Sequence, residues 1–218
     1  MLIVDLISQE FKPVKLSYTV ERALQILDGF KVTHVPLIEG TTYIGCLSEA
    51  LLNRLPLDEK LQVAKNQLEF FFITEQSTVF DSINVFYTHN TNMIPVLSND
   101  EHYLGHITIE DVVGVVSKLP LVGEPAAMIT IGAPLQKMSM VEIAKIVEAN
   151  NGKIFGMFIS KMDESDAEIT VKYSAENLTS VSETFERFGY VILRKFFIDR
   201  KVDLLEDRYN QFMKYLEM

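Results

Sequence analysis

The first half of this chain is written twice. Thr19-Val20-Glu21-Arg22-Ala23-Leu24-Gln25-Ile26-Leu27 aligns with Thr78-Val79-Phe80-Asp81-Ser82-Ile83-Asn84-Val85-Phe86, an offset of 59 residues counted from Thr19 to Thr78. At the same offset Val35-Pro36-Leu37-Ile38 falls on Ile94-Pro95-Val96-Leu97. One inserted residue later, Gly45-Cys46-Leu47-Ser48 falls on Gly105-His106-Ile107-Thr108. Self-similarity at a fixed period marks a fold built from repeated supersecondary units. Each copy reads strand–helix–strand–strand–helix. Val20, Ala23, Leu24 and Leu27 recur at helical spacing, as do Val79, Ile83 and Phe86. Two short apolar runs follow across a polar turn, a hairpin pattern. A second helix closes each copy, near Ser48–Leu55 and Thr108–Leu119. Pro36 and Pro95 cannot donate a ladder hydrogen bond, which predicts strand starts or edges for them.

The pattern breaks at Leu119-Pro120-Leu121-Val122-Gly123-Glu124-Pro125, whose prolines and glycine read as a linker. Beyond it the rhythm changes. Ala127–Ile131 reads as a strand and Gly132-Ala133-Pro134 as a turn. Met138–Ala149 reads as a helix ended by Asn150-Asn151-Gly152. Ile154–Ile159 and Glu168–Tyr173 read as strands, Asn177–Phe188 as a helix, and Tyr190–Phe197 as a last strand. That order is βαββαβ, the ferredoxin-like arrangement. In Lys201–Met218, Val202, Leu205, Tyr209, Phe212 and Leu216 recur at 3-4-3-4 spacing, an amphipathic helix that packs on its own domain or on a second subunit. The expected class is therefore α+β. The expected boundaries are 1–60 and 61–120 for the repeats, 121–126 for the linker, 127–198 for the βαββαβ domain and 199–218 for the terminal helix.

Charge and cysteine content narrow the function. The 218 residues carry 20 Lys+Arg against 30 Asp+Glu, a net charge of -10. Nucleic acid needs clustered positive charge, and anionic membrane surfaces are disfavoured on the same ground. No apolar run approaches the roughly 18 residues of a membrane helix. With Asp5 and no earlier basic residue, the first residues make a poor signal peptide. Cys46 is the single cysteine, so no intramolecular disulfide can form and a Cys-rich metal site is excluded. One thiol suits a reducing compartment, and the expected location is the cytoplasm.

Both repeats resemble the CBS domain, and the tandem pair resembles a Bateman module. The residues that carry this are Ile94-Pro95-Val96 and Gly105-His106-Ile107-Thr108-Ile109-Glu110-Asp111 in the second copy, with His34-Val35-Pro36-Leu37 and Gly45-Cys46-Leu47-Ser48 in the first. Residues 127–197 look like an ACT-like domain. The combination is similar to acetoin-utilisation regulatory proteins, a group described as regulatory and not catalytic. The resemblance implies an adenosine-containing ligand, such as AMP, ATP or S-adenosylmethionine, in a cleft between the copies. It places the site at Thr108, Asp111, Ile107 and Pro95, with His34 and Pro36 contributed by the first copy. It also implies a homodimer, since both families pair. A ligand-free scaffold and a regulatory subunit of a separate enzyme are the alternatives.

The residues themselves support two readings of Thr108-Ile109-Glu110-Asp111. A hydroxyl and free N–H groups at a helix start suit a phosphate, and a carboxylate one turn later suits ribose hydroxyls. Equally, Thr108 is an N-cap and Asp111 a first-turn acid. In the first copy the position of Asp111 holds Leu51, which cannot bind ribose. The family commonly has a basic residue three positions before the motif proline, and Thr33 and Asn92 stand there instead. Residues 1–123 hold 8 Lys+Arg against 15 Asp+Glu, which favours a nucleoside or monophosphate over ATP. In the ACT-like domain the loop Ile131–Gln136 corresponds to an amino-acid site, but Leu135 stands where many relatives have Gly. His102 and His106 are roughly 13 Å apart if extended, too far to share a metal. No P-loop, dinucleotide fingerprint or nucleophile elbow is present, and no catalytic residue is expected.

Overall fold

The computed structural model describes residues 1–197; the expected terminal helix lies outside the described residues. The chain forms two compact units, Met1–Ser117 and the residues from Lys118 onward. Among the described residues no helix is long and apolar enough to cross a membrane.

In the first unit each copy builds a three-stranded sheet. The first holds β1 (Val14–Lys15), β2 (His34–Glu39) and β3 (Thr42–Ser48); the second holds β4 (Ile73–Thr74), β5 (Met93–Leu97) and β6 (Tyr103–Thr108). The first strand of each is parallel to the second, with a helix crossing between them: α1 (Val20–Phe30) and α3 (Val79–Thr88). Thr19 and Thr78 cap these helices by accepting a bond from the third residue on, Arg22 and Asp81. The closing helices are α2 (Glu49–Leu52), only one turn long, and α4 (Ile109–Val116).

The prolines do not sit on edge strands. β2 and β5 are the middle strands of their sheets. However, β1 reaches only Leu37 and Ile38, and β4 only Val96 and Leu97. Pro36 and Pro95 thus lie where the middle strand is paired on one side alone, opposite Cys46 and His106. A missing N–H is tolerated there.

The copies exchange their leading segments. Ser8 pairs with His106 of the second copy, and Glu69 pairs with Cys46 of the first, each through two backbone bonds of 2.8 and 3.0 Å. Ile3 N–H donates to the Ser77 carbonyl and Leu61 N–H to the Tyr18 carbonyl, both at 2.9 Å. One continuous core results, running from Ile3 and Phe11 through Leu47 and Phe71 to Val112.

The second unit opens with a helical turn, α5 (Pro120–Gly123), inside the stretch read as linker; it packs on β8 through Leu121, which lies against Gly156. Then come β7 (Ala127–Pro134), α6 (Met140–Ala149), β8 (Lys153–Met162), β9 (Asp166–Ser174), α7 (Leu178–Arg187) and β10 (Val191–Phe196). The sheet order is β10-β7-β9-β8, every neighbour antiparallel. This is the ferredoxin-like βαββαβ topology. Ile129, Ile131, Ile169, Val171 and Tyr173 are buried with Ile143, Val147, Val181 and Phe185 of the helices. The expected turn at Gly132–Pro134 is strand instead, because Gly132, Ala133 and Pro134 stay in register with Glu168, Ala167 and Asp166 of β9.

Candidate functional site

The site is built at the junction of β6 and α4. Strand alternation turns Ile107 fully into the core, so it has only backbone to offer a ligand. Thr108 ends the strand and caps the helix. Its N–H and hydroxyl donate to Asp111 Oδ2 at 2.9 and 2.6 Å, and Asp111 N–H donates back to Thr108 Oγ1 at 3.2 Å. This reciprocal box satisfies two groups at the helix start. Both bonds to the carboxylate use Oδ2; Asp111 Oδ1 has no partner among the described residues. Thr78 and Asp81 make the same box at α3, so the box alone marks a helix start and not a ligand.

His106 distinguishes the second junction. It is 1% exposed and stacks on Phe11 with ring centroids 4.0 Å apart. Its Nδ1 is buried without a partner among the described residues. Burial pulls the imidazole down to about 4, against the opposing pull of the Asp111 charge. A buried, unsatisfied ring nitrogen is costly and calls for an explanation.

The positions without a basic residue are joined to each other. Thr33 N–H donates to Asn92 Oδ1 at 2.9 Å, and Asn92 N–H donates to Thr33 Oγ1 at 3.2 Å. The Asn92 carbonyl accepts from Ile109 N–H at 2.9 Å, and the Thr33 carbonyl from Glu49 N–H at 2.9 Å. A neutral clamp therefore ties the starts of α2 and α4 together. Both residues were marked in the sequence only as missing charges; their shared 59-residue offset is the signal that pairs them.

The second-copy residues come together. Met93, Ile94 and Pro95 of β5 face Thr108, Ile107 and His106 of β6. The first-copy residues are engaged elsewhere. His34 is buried, with Nδ1 at 2.9 Å from Thr33 Oγ1 and Nε2 at 3.5 Å from Glu69 Oε2. Burial lowers its pKa, opposed by Glu69. Pro36 is buried opposite Cys46. Burial pushes the Cys46 thiol up to about 12, an unreactive group. Ser48, the counterpart of Thr108, makes no side-chain cap, and Leu51 packs on the core. The first junction therefore lacks the polar site. Phe11 and Glu69 were missed in the sequence, because each reaches its partner through the exchanged segments. No group of three or more His, Cys, Asp or Glu able to hold a metal occurs among the described residues.

The second copy matches a known family. Residues 66–118 match the CBS domain family. Three solved structures resemble the chain, each over about half of its length. A CBS domain pair/ACT domain protein from Thermotoga maritima is 19% identical, covers 53% of this chain and 96% of its own, with TM-score 0.48. The CBS domains of a transcriptional regulator from Streptococcus pneumoniae are 14% identical, with 52% and 98% covered and TM-score 0.46. CBSX2, solved in complex with AMP, is 22% identical, with 53% and 95% covered and TM-score 0.43. No curated protein matches the chain.

Proposed function

We propose that this chain is a regulatory protein that senses an adenosine-containing small molecule at the β6–α4 junction. In this reading the βαββαβ unit, taken as ACT-like, relays the signal, and the chain works as a cytoplasmic homodimer. The observation that carries it is Asp111 Oδ1, without a partner among the described residues at a helix start, in the segment that matches the CBS domain. The free carboxylate oxygen suits a ribose hydroxyl. The acidic surroundings favour adenosine or AMP over ATP, because each added phosphate brings charge that no nearby base neutralises. A ligand regulates only if it prefers one arrangement of the protein over another.

A second reading, a scaffold without ligand, is favoured by Phe11, whose ring already covers one face of His106. Thermal shift separates the two. A ligand at 100 times its Kd adds about 2.7 kcal/mol, and for a chain of this size each kcal/mol raises Tm by about 2–4 °C. Adenosine or AMP is expected to raise Tm of the wild type and of Asp81→Asn, but not of Asp111→Asn. The Asp81 variant loses the same capping geometry without touching the site, so it controls for stability. A shift that survives in Asp111→Asn removes the proposed site. Absence of any shift in the wild type leaves the scaffold.

A further inference from the structure

In the βαββαβ unit, Ile129, Ile131, Ile169 and Val171 point to α6 and α7. Their neighbours Thr130, Thr170 and Lys172 therefore point to the opposite face of the sheet. Register puts Phe158 beside Thr170 and Phe196 beside Met128 on that face, and Leu193 lies against Gly132 there. The outer strands β8 and β10 thus carry the large side chains, and the inner strands β7 and β9 carry small ones. Phe158, Leu193 and Phe196 are 40%, 44% and 63% exposed. The face is a trough with apolar walls. Its floor needs no water: the hydroxyls of Thr130 and Thr170 are 3.0 Å apart, Thr170 donates to Ser160 Oγ at 3.0 Å, and Ser160 donates to the Glu168 carbonyl at 3.2 Å. Lys172 is different. It is 8% exposed, its ammonium donates to the Val122 carbonyl at 3.2 Å, and it makes no ion pair among the described residues. A buried charge without a counter-charge is costly. Scattered apolar residues are ordinary, whereas facing apolar walls on one sheet face mark a docking surface.

We propose that the trough is the docking site of the chain's own last segment, residues 201–218, which lie outside the described residues. Shape, length and charge select this occupant. The walls stand three strand spacings apart, about 14 Å, and a helix with its side chains is about 10–12 Å across. The nine residues of β9 run about 30 Å. Laid as a helix, the 18 residues from Lys201 to Met218 run about 27 Å. Val202, Leu205, Tyr209, Phe212 and Leu216 then form one stripe, which needs an apolar surface to cover it. The chain leaves β10 at Phe196, beside the wall, and residues 197–200 span up to about 13 Å. That reaches the middle of the trough, about 7 Å from β10. Lys172 and Met128 lie at the same end as Phe196. The part of the segment that enters first carries Asp203, Glu206 and Asp207, and Glu206 flanks the stripe. An acid is thus delivered to the end where the buried cation has none. A second copy of the same face would instead set Lys172 and Arg194 against an equally cationic surface. The docking is independent of the adenosine reading.

A fluorescent reporter tests this. The chain has no Trp, so Phe158→Trp places a single one in the wall of the trough. Removing residues 201–218 from that variant is expected to shift its emission to the red and to make it more open to acrylamide quenching. Leu205→Glu with Phe212→Glu, in the full chain, is expected to do the same. Leu204→Glu, on the opposite side of the segment from the stripe, leaves the emission unchanged. Should these variants fail to fold, Phe158→Cys with Tyr209→Cys decides. A short bis-maleimide is expected to link the two within one chain, at the monomer mass of 24.8 kDa, while the buried Cys46 stays silent. Emission that is the same with and without residues 201–218, or a cysteine pair that does not link, overturns the proposal. A link that joins two chains overturns it too, and assigns the trough to the segment of a second copy. None of these results bears on the adenosine and AMP shifts, which are read separately.

Discussion

At His106 two demands conflict. Strand position and the ring of Phe11 bury the imidazole, while its Nδ1 has no partner among the described residues. Burial lowers the folded pKa to about 4 from an ordinary 6.5. A histidine held neutral in the fold but protonated in the unfolded chain contributes stability above pH 6.5, and loses it as pH falls toward 4. The size of that loss is about 3 kcal/mol. His34, also lowered by burial, adds in the same direction. Asp28, Asp81 and Asp163, lowered by their hydrogen-bond and charge partners, lose their contribution as pH falls through the ordinary carboxylate range, at the acid end of this window. Urea denaturation from pH 7 to 4 should therefore show a steep decline in the wild type and a flatter one in His106→Phe. Equal slopes would mean that His106 is not the group responsible. Thr108 and Asp111 were legible in the sequence, because a cap and its acid are three residues apart. The stacking of Phe11 on His106 was not, because those residues are 95 positions apart and meet only when the leading segments cross.

Gly45 and Gly105 make the corresponding point for elements. They help define the repeat; each lies inside a strand at a positive φ, 140° and 158°, that a side chain rarely adopts. The exchanged segment adds a second reason. A β-carbon at Gly105 would collide with the Ser8 carbonyl and come within 2.5 Å of Ile7 Cγ2, and one at Gly45 would lie 2.8 Å from Leu68 Cβ. Gly105→Ala is expected to destabilise the first unit by at least about 2 kcal/mol, since the obstacle is backbone that cannot turn aside. Gly29→Ala, in α1 with nothing within 4 Å, should instead be neutral or stabilising by up to about 1 kcal/mol. Chemical denaturation of the two variants checks both signs. A tolerated Gly105→Ala would show that Ser8 is not held against β6.

On the scale of the whole chain, sequence order and structural order differ. Residues 1–8 precede the first strand of the first copy, yet they pair with the second copy. Ile3 is fully buried, Ile3 N–H bonds Ser77, the Met1 carbonyl accepts from Val79 N–H, and Ser8 pairs with His106. Removing residues 1–8 is expected to cost at least the roughly 2–5 kcal/mol of one deleted core isoleucine. It should also raise amide exchange along β6 more than along β3. Uniform exchange in the two strands would contradict the exchanged arrangement.

The sequence by itself determined the elements of both units. Helical spacing, hairpin turns and caps act within a few residues, and the 59-residue offset repeated them in order. The βαββαβ order of the second unit followed in the same way, apart from the strand that runs on to Pro134. The departures from the family pattern were also visible, with Leu51 in place of the acid in the first copy and neutral Thr33 and Asn92 before the two prolines. Only the tertiary structure decided that Thr33 and Asn92 bond to each other and that His34 is engaged by Glu69. Each of these depends on which segments meet across the copies. The free energy of such contacts comes from burial between residues far apart in the chain, and no local pattern encodes it.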